Sequence, residues 1–143
     1  MQYLYLHYRL QPKTNVMHAN VATLIFLLVA FIVIAFQLAL MLGAPWGQLT
    51  LGGKYAKVLP AQARLICLCT TLILCAFVVV VLVRAGLILP HWFVMSQQLI
   101  WVIVIYCFVG VIANALTPSR YERIVWLPAT TALFASSLCI ATS

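Results

Sequence analysis

Four long apolar segments, separated by short polar connections, make up almost all of the chain after Ala19. They run from about 19–42, 60–83, 97–116 and 121–142. A helix of about 20 apolar residues crosses a hydrocarbon core of about 30 Å. Lipid offers no hydrogen bonds, so each segment has to satisfy its backbone internally, as a helix does. The pattern predicts an all-α integral membrane protein: a four-helix transmembrane bundle with antiparallel neighbours, formed by residues 19–143.

Composition agrees with a bilayer environment. Hydrophobic residues make up 66% of the chain and charged residues 6%, whereas a typical globular domain carries about 25% charged residues. The net charge of +7 comes from eight basic residues against one acidic residue, Glu122. The basic residues are spread over the connections instead of forming a stripe, so no nucleic-acid partner is expected. The lipid bilayer, including its anionic lipids, is the expected partner.

Residues 1–18 precede the first apolar segment and resemble an interfacial segment. They include aromatic and basic side chains suited to the headgroup layer: Tyr3, Tyr5, Tyr8, Arg9 and Lys13. The apolar segment that follows is too long for the core of a signal peptide, so we expect it to be retained. Met17 is an alternative start site.

Basic residues also predict an orientation. The first and third connections, with the helix starts that follow them, hold Lys54, Lys57, Arg64, Arg120 and Arg123. The N-terminal segment and the second connection hold Arg9, Lys13 and Arg84. An excess of Lys and Arg marks the cytoplasmic side of a membrane protein. Both termini are therefore expected outside.

This topology brings a set of polar and aromatic residues to one membrane face. The candidate site residues are Trp46, Arg64, Asn114, Ser119, Arg120, Glu122, Arg123 and Trp126, beside Gly52, Gly53, Lys54 and Lys57. One interpretation is a cationic pocket for an anionic headgroup or lipid-linked phosphate. In the other, the arginines extend to the interface, Ser119 and Glu122 form a capping box, Glu122 pairs with a neighbouring arginine, and the tryptophans anchor the interface.

Two further features of the spans matter. Gln37 is the strong polar interruption of the first span, and its amide is expected to find a partner within the bundle. Small residues of the fourth span, including Ala132 and Ser136, allow helices to approach closely in lipid. They suggest association with a second copy or with a partner membrane subunit.

Catalytic and metal-binding classes find little support. The chain has no Asp and one Glu, which excludes paired carboxylates and Ser-His-Asp triads. The histidines His7, His18 and His91 are irregularly spaced, and the five cysteines lie inside the spans. No metal or cofactor is expected. Four-helix proton-coupled exporters depend on a glutamate in their first helix, and the first span has none.

Two groups of residues carry a resemblance to a known family. The first is Ala44-Pro45-Trp46-Gly47 with Gly52-Gly53, Leu59-Pro60 and Arg64; the second is Asn114, Ser119, Glu122, Arg123, Trp126 and Pro128. They resemble a family of small four-helix bacterial inner-membrane proteins whose activity is unassigned. The family usually has a further glycine after the double-glycine turn. This chain has Ala56 or Lys57 at that position. The resemblance implies a fold and the bacterial inner membrane, and it implies no reaction.

The sequence therefore predicts a small polytopic membrane protein, non-enzymatic, that acts by helix association or lipid contact. An alternative is a binding or carrier protein for an anionic lipid or lipid-linked phosphate. A second alternative is a membrane enzyme in which Glu122 is the acid or base.

Overall fold

A computed structural model describes residues 13–143, with side chains from Met17 onward. Within this range the all-α prediction is confirmed, because four helices are long and apolar enough to cross a membrane. They are α1 (Lys13–Met41), α2 (Ala61–Arg84), α3 (Phe93–Leu116) and α4 (Arg120–Thr142). Short 3₁₀ turns at Gly47–Leu49, Leu51–Gly53 and Pro90–Trp92 lie in the connections. The chain is an integral membrane protein.

The helix bounds lie close to the expected spans. Helix α3 starts at Phe93 and not near residue 97, because the 3₁₀ turn that begins at Pro90 leads directly into it. Of the expected interfacial segment, residues 1–12 lie outside the described part of the chain. Its last residues, 13–18, form the beginning of α1.

The helices form a closed ring in which α1 packs against α2 and α4, and α3 packs against the same two helices. Neighbours run antiparallel. Arg64 at the start of α2 donates to the carbonyl of Met41 at the end of α1. Cys139 Sγ, near the end of α4, lies 4.0 Å from the carbonyl of His18 near the start of α1. The bundle therefore has a loop end, which carries residues 42–60, and a terminal end, which carries the C-terminus.

The half of the bundle near the terminal end, here called the terminal half, is closely packed. Phe26, Ala30, Val81 and Ile100 are completely buried there, and Ile103 is 1% exposed. The half near the loop end, here called the loop half, has a smaller core made of Leu40, Leu59, Ala63 and Cys67. Large apolar side chains on the outer surface, such as Leu28 and Ile105, are exposed as a lipid-facing surface requires.

Two small residues of α4 pack inside the bundle. Ser136 and Ser137 are 5% and 0% exposed, and their hydroxyls donate to carbonyls of their own helix. Ser136 is therefore not available to a second chain, which corrects the expectation that it contributes to an association surface.

Candidate functional site

The first loop, residues 42–60, folds back over the loop end of the bundle. A hydrogen bond of 2.7 Å from Gly47 N to Lys57 O closes it. Gly52 and Gly53 adopt φ values of +74° and +72°, which favour glycine. A Cβ on Gly53 would also lie 3.0 Å from the side chain of Ser119. The double glycine lets the loop approach the start of α4 closely.

Side chains at the start of α4 hold this loop in place. Three hydrogen bonds between described residues make the connection: Gly52 N to Glu122 Oε2 (2.8 Å), Ser119 Oγ to Gln48 O (3.2 Å) and Trp126 Nε1 to Leu49 O (2.7 Å). A contact of Gly52 with Glu122 joins residues 70 positions apart in the sequence. The predicted gathering of Ser119, Glu122 and Trp126 beside the double glycine is thus what the structure shows.

Glu122 has a different role from the one its spacing suggests. Ser119 Oγ does accept a hydrogen bond from Glu122 N (3.3 Å), as expected of a helix N-cap. The Glu122 carboxylate, however, does not complete the capping box. Its Oε2 accepts from Gly52 N and from Thr117 Oγ1 (2.9 Å). Nor does it pair with an arginine of the described residues, and the loop amide and the threonine hydroxyl bind its Oε2 instead.

Two arginines of the candidate site donate to carbonyl groups at helix C-termini. Arg64 Nη1 donates to Met41 O (3.4 Å), the last residue of α1, and its Nε donates to Leu59 O (2.9 Å) in the first loop. Arg123 Nη2 donates to the carbonyl of Thr117, the C-cap of α3, at 2.6 Å. Cations at helix C-termini are favoured by the helix dipole. These two guanidinium groups therefore stabilise the ends of two different helices.

The remaining basic residues of this face, Lys54, Lys57 and Arg120, are exposed. Trp46 is 45% exposed and its ring is parallel to that of Phe36, with centroids 6.0 Å apart. The Phe36 ring also contacts Trp126, with centroids 4.5 Å apart. Both tryptophan rings therefore pack against the same phenylalanine of α1.

A cavity of about 380 Å³ lies between the four helices in the loop half. Most of its lining is apolar, and a few polar groups converge on it from every helix and from the loop. The polar or ionisable lining residues are Gln37, Thr50, Thr70, Tyr106, Cys107, Asn114, Glu122 and Thr130. Asn114, Glu122 and Trp126 of the predicted site residues line this cavity, whereas Arg64, Ser119, Arg120, Arg123 and Trp46 are not part of its lining.

Gln37 departs from expectation in an informative way. Its Oε1 is buried, yet it has no hydrogen-bond partner among the residues that the structure describes. A buried acceptor without a partner costs about 1–3 kcal/mol. Gln37 lines the cavity, so a molecule inside the cavity is within reach of its side chain. The sequence predicts a hydrogen-bond partner for this amide within the bundle, and the described residues provide none for its oxygen.

Other lining residues carry weaker sequence signals. Thr70, Tyr106 and Thr130 are polar residues inside apolar spans, but Thr70 and Thr130 donate to carbonyls of their own helices, a common arrangement. Nothing in their spacing shows that they share one cavity. Of the three histidines considered above, His7 lies outside the described residues, and within the described part of the chain no group of three His, Cys, Asp or Glu side chains forms.

The chain matches no family model, no curated protein and no solved structure. Its resemblance to the bacterial inner-membrane family stays an expectation, and the function has to be inferred from the geometry of the site.

Proposed function

We propose that this protein is a non-enzymatic binding protein that holds a small amphipathic molecule within the membrane. The supporting observation is the cavity of the loop half, about 380 Å³ in volume. Small-molecule sites typically enclose about 300–1,000 Å³ and combine an apolar lining with a few placed polar groups. Phe36, Leu74 and Leu133 supply apolar lining here, and Gln37 supplies an acceptor that has no partner among the described residues.

The contacts of Glu122 support a part in closing the site. Its Oε2 accepts a hydrogen bond from Gly52 N, which joins the first loop to the start of α4, and a second from Thr117 Oγ1 in the third connection. The residue thereby serves to close the loop end of the cavity, where Thr50 of the loop also lines it.

The contacts of Arg64 and Arg123 argue against an anionic-lipid pocket built on them, since both donate to carbonyls at helix C-termini. The exposed side chains of Lys54, Lys57 and Arg120 support surface contact with anionic headgroups instead. Replacing all three by Gln should lower the amount of anionic phospholipid retained in native mass spectra. Undiminished retention would remove this second role.

Filling the cavity tests the main proposal. Gly110 lines it, and a Cβ there would meet Thr130 Cγ2 at 3.8 Å, an ordinary contact. A Gly110→Leu side chain should therefore occupy the cavity without displacing the helices. The matched control is Val102→Leu, on the same helix and 56% exposed.

The measurement is saturable binding of phenylpropanol to the protein in phosphatidylcholine nanodiscs, by saturation-transfer NMR with empty nanodiscs subtracted. We expect binding to the wild type and to Val102→Leu, and a loss of about tenfold or more in affinity for Gly110→Leu, equivalent to about 1.4 kcal/mol. Equal binding by both variants, or none by the wild type, would contradict the proposal.

We also propose that the protein resides in a bacterial inner membrane with its loop end facing the cytoplasm and both termini outside. The loop end carries Lys54, Lys57, Arg64, Arg120 and Arg123, whereas Arg84 lies near the other end. A C-terminal alkaline phosphatase fusion should be active. A fluorescent C-terminal GFP fusion would reverse the orientation.

A further inference from the structure

The charge of the cavity is opposite to that of the protein. The chain carries a net charge of +7, and its one acidic residue, Glu122, is among the residues that line the cavity. No Lys or Arg of the described residues belongs to that lining. A low-dielectric site lined in this way favours a positively charged occupant and disfavours an anion, because each charge acts more strongly there than in water.

The free acceptor atoms agree with this sign. Both hydrogen bonds of the Glu122 carboxylate fall on Oε2. Its Oε1 has no hydrogen bond to any residue within 17–143, which leaves that oxygen able to accept from a bound molecule. Gln37 Oε1 is a second acceptor without a partner in the described chain. Two acceptors from different helices thus lack donors around one cavity.

The aromatic residues that line the cavity also favour a cation. Phe36, Tyr106 and Trp126 all border the cavity. The face of an aromatic ring attracts a cation through its quadrupole, most strongly for tryptophan. The same rings provide an apolar surface for the body of an amphipathic molecule.

Resting on the proposed function, we propose that the ligand of this cavity is an amphipathic amine: an ammonium head group on a compact apolar body. Glu122 Oε1 supplies the negative charge, and Gln37 Oε1 supplies a neutral acceptor for a donor of the same ligand. The rings of Phe36 and Trp126 contact the apolar body.

Three probes that share one skeleton test this assignment: phenylpropylamine, phenylpropanol and phenylpropanoate. They differ only in a cationic, neutral or anionic head. Each is titrated against the protein in nanodiscs of zwitterionic phosphatidylcholine, with empty nanodiscs subtracted. We expect the amine to bind about tenfold more tightly than the alcohol and the carboxylate to bind most weakly, because a charge-assisted hydrogen bond is stronger than a neutral one.

Two variants attribute the preference to the proposed atoms. Glu122→Gln keeps an oxygen that can accept from Gly52 N but removes the charge, and it should abolish the preference for the amine over the alcohol. Gln37→Leu, which lies on α1 and away from the loop, should lower the affinity for both donors about fivefold. Lys57→Gln removes an exposed charge outside the lining and should leave all three affinities unchanged.

The possible results distinguish the assignment of an amine ligand from the proposal that the cavity is a binding site. Saturable binding in which the alcohol or the carboxylate equals the amine would overturn the amine assignment and leave the cavity as a binding site. An amine preference that survives Glu122→Gln would overturn it as well. No saturable binding of any probe to the wild type would overturn both proposals, with water as the occupant that satisfies Gln37. If Glu122→Gln fails to fold, the order of the three probe affinities for the wild type decides the charge preference, and Gln37→Leu decides whether the probes bind in this cavity.

Discussion

The two halves of the bundle are built from the same four helices and differ in how completely those helices fit. In the terminal half, Phe26, Ala30, Val81 and Ile100 are completely buried against one another. In the loop half, a cavity of about 380 Å³ separates the helices and is lined in part by Gln37, whose oxygen has no partner in the described part of the chain. Lipid provides no hydrophobic force between helices, so close packing is a main source of their attraction.

The difference indicates a division of roles. The terminal half holds the helices together by contact, which allows the loop half to keep open space between them. At the loop end, contacts from the first loop to Glu122 and Trp126 replace part of the missing helix packing. Substitutions placed at matched positions in the two halves can break or sharpen this comparison.

The largest difference in stability effect between the two halves should come from enlarging a side chain. Ala30→Leu places a large side chain in a site that is 0% exposed and should destabilise the protein by up to about 3 kcal/mol. Gly110→Leu adds similar bulk to the cavity and should change the free energy of unfolding by less than about 1 kcal/mol. Denaturation in mixed micelles measures both values. Equal costs would mean that the loop half is as tightly packed as the terminal half.

Removing volume should give the next largest contrast. Ile100→Ala empties a fully buried position and should cost about 2 kcal/mol, at the lower end of the range for soluble cores, because both states remain in lipid. Leu74→Ala deletes an isomeric side chain beside the existing cavity and should cost about half as much. The same unfolding assay compares them, and a larger cost at Leu74 would reverse the assignment of the two halves.

Replacing a glycine by alanine should have opposite effects on stability in the first loop and in helix α3. Gly53→Ala forces a Cβ onto a residue at φ +72° and against Ser119, and should destabilise the loop by about 1 kcal/mol or more. Gly110→Ala, inside α3, should stabilise the protein by up to about 1 kcal/mol. Thermal unfolding monitored in nanodiscs checks both signs. A stabilising Gly53→Ala would mean that the loop does not adopt this turn.

The smallest predicted effect is confined to the first loop. Trp126→Phe removes the hydrogen bond to Leu49 O, which is worth about 1 kcal/mol. Amide hydrogen exchange of residues 47–57 should then become about fivefold faster, with little change elsewhere. Trp101→Phe, at a position 46% exposed on α3, is the control. Unchanged exchange in the loop would show that this bond does not hold it.

The sequence predicts the helices well and the site only in part. The four apolar spans and the Ser119 N-cap follow from local patterns, namely the length of each hydrophobic run and the spacing of a cap. The contact of Glu122 with Gly52 does not, because it depends on how a loop 70 residues away folds back. Spacing alone therefore suggested a capping box and an arginine partner for Glu122.

The cavity also could not be predicted from local sequence patterns, for a related reason. Whether Gln37, Tyr106 and Asn114 share one space depends on the rotation of each helix about its axis, which hydrophobicity does not fix when a helix is apolar on all sides. The same limit explains Ser136, which is a small residue suited equally to an internal and to an external helix contact. Packing across the whole bundle decides between these outcomes.

The most direct test of the central claim is density in the loop-half cavity, measured by cryo-electron microscopy of the protein in nanodiscs after incubation with phenylpropylamine. A fiducial-bearing antibody fragment would provide the particle size that such a measurement needs. We predict density for the amine between the helices, within hydrogen-bonding distance of Gln37 or Glu122. A collapsed cavity, with the Gln37 amide bonded to a protein side chain and no space for a ligand, would contradict the account.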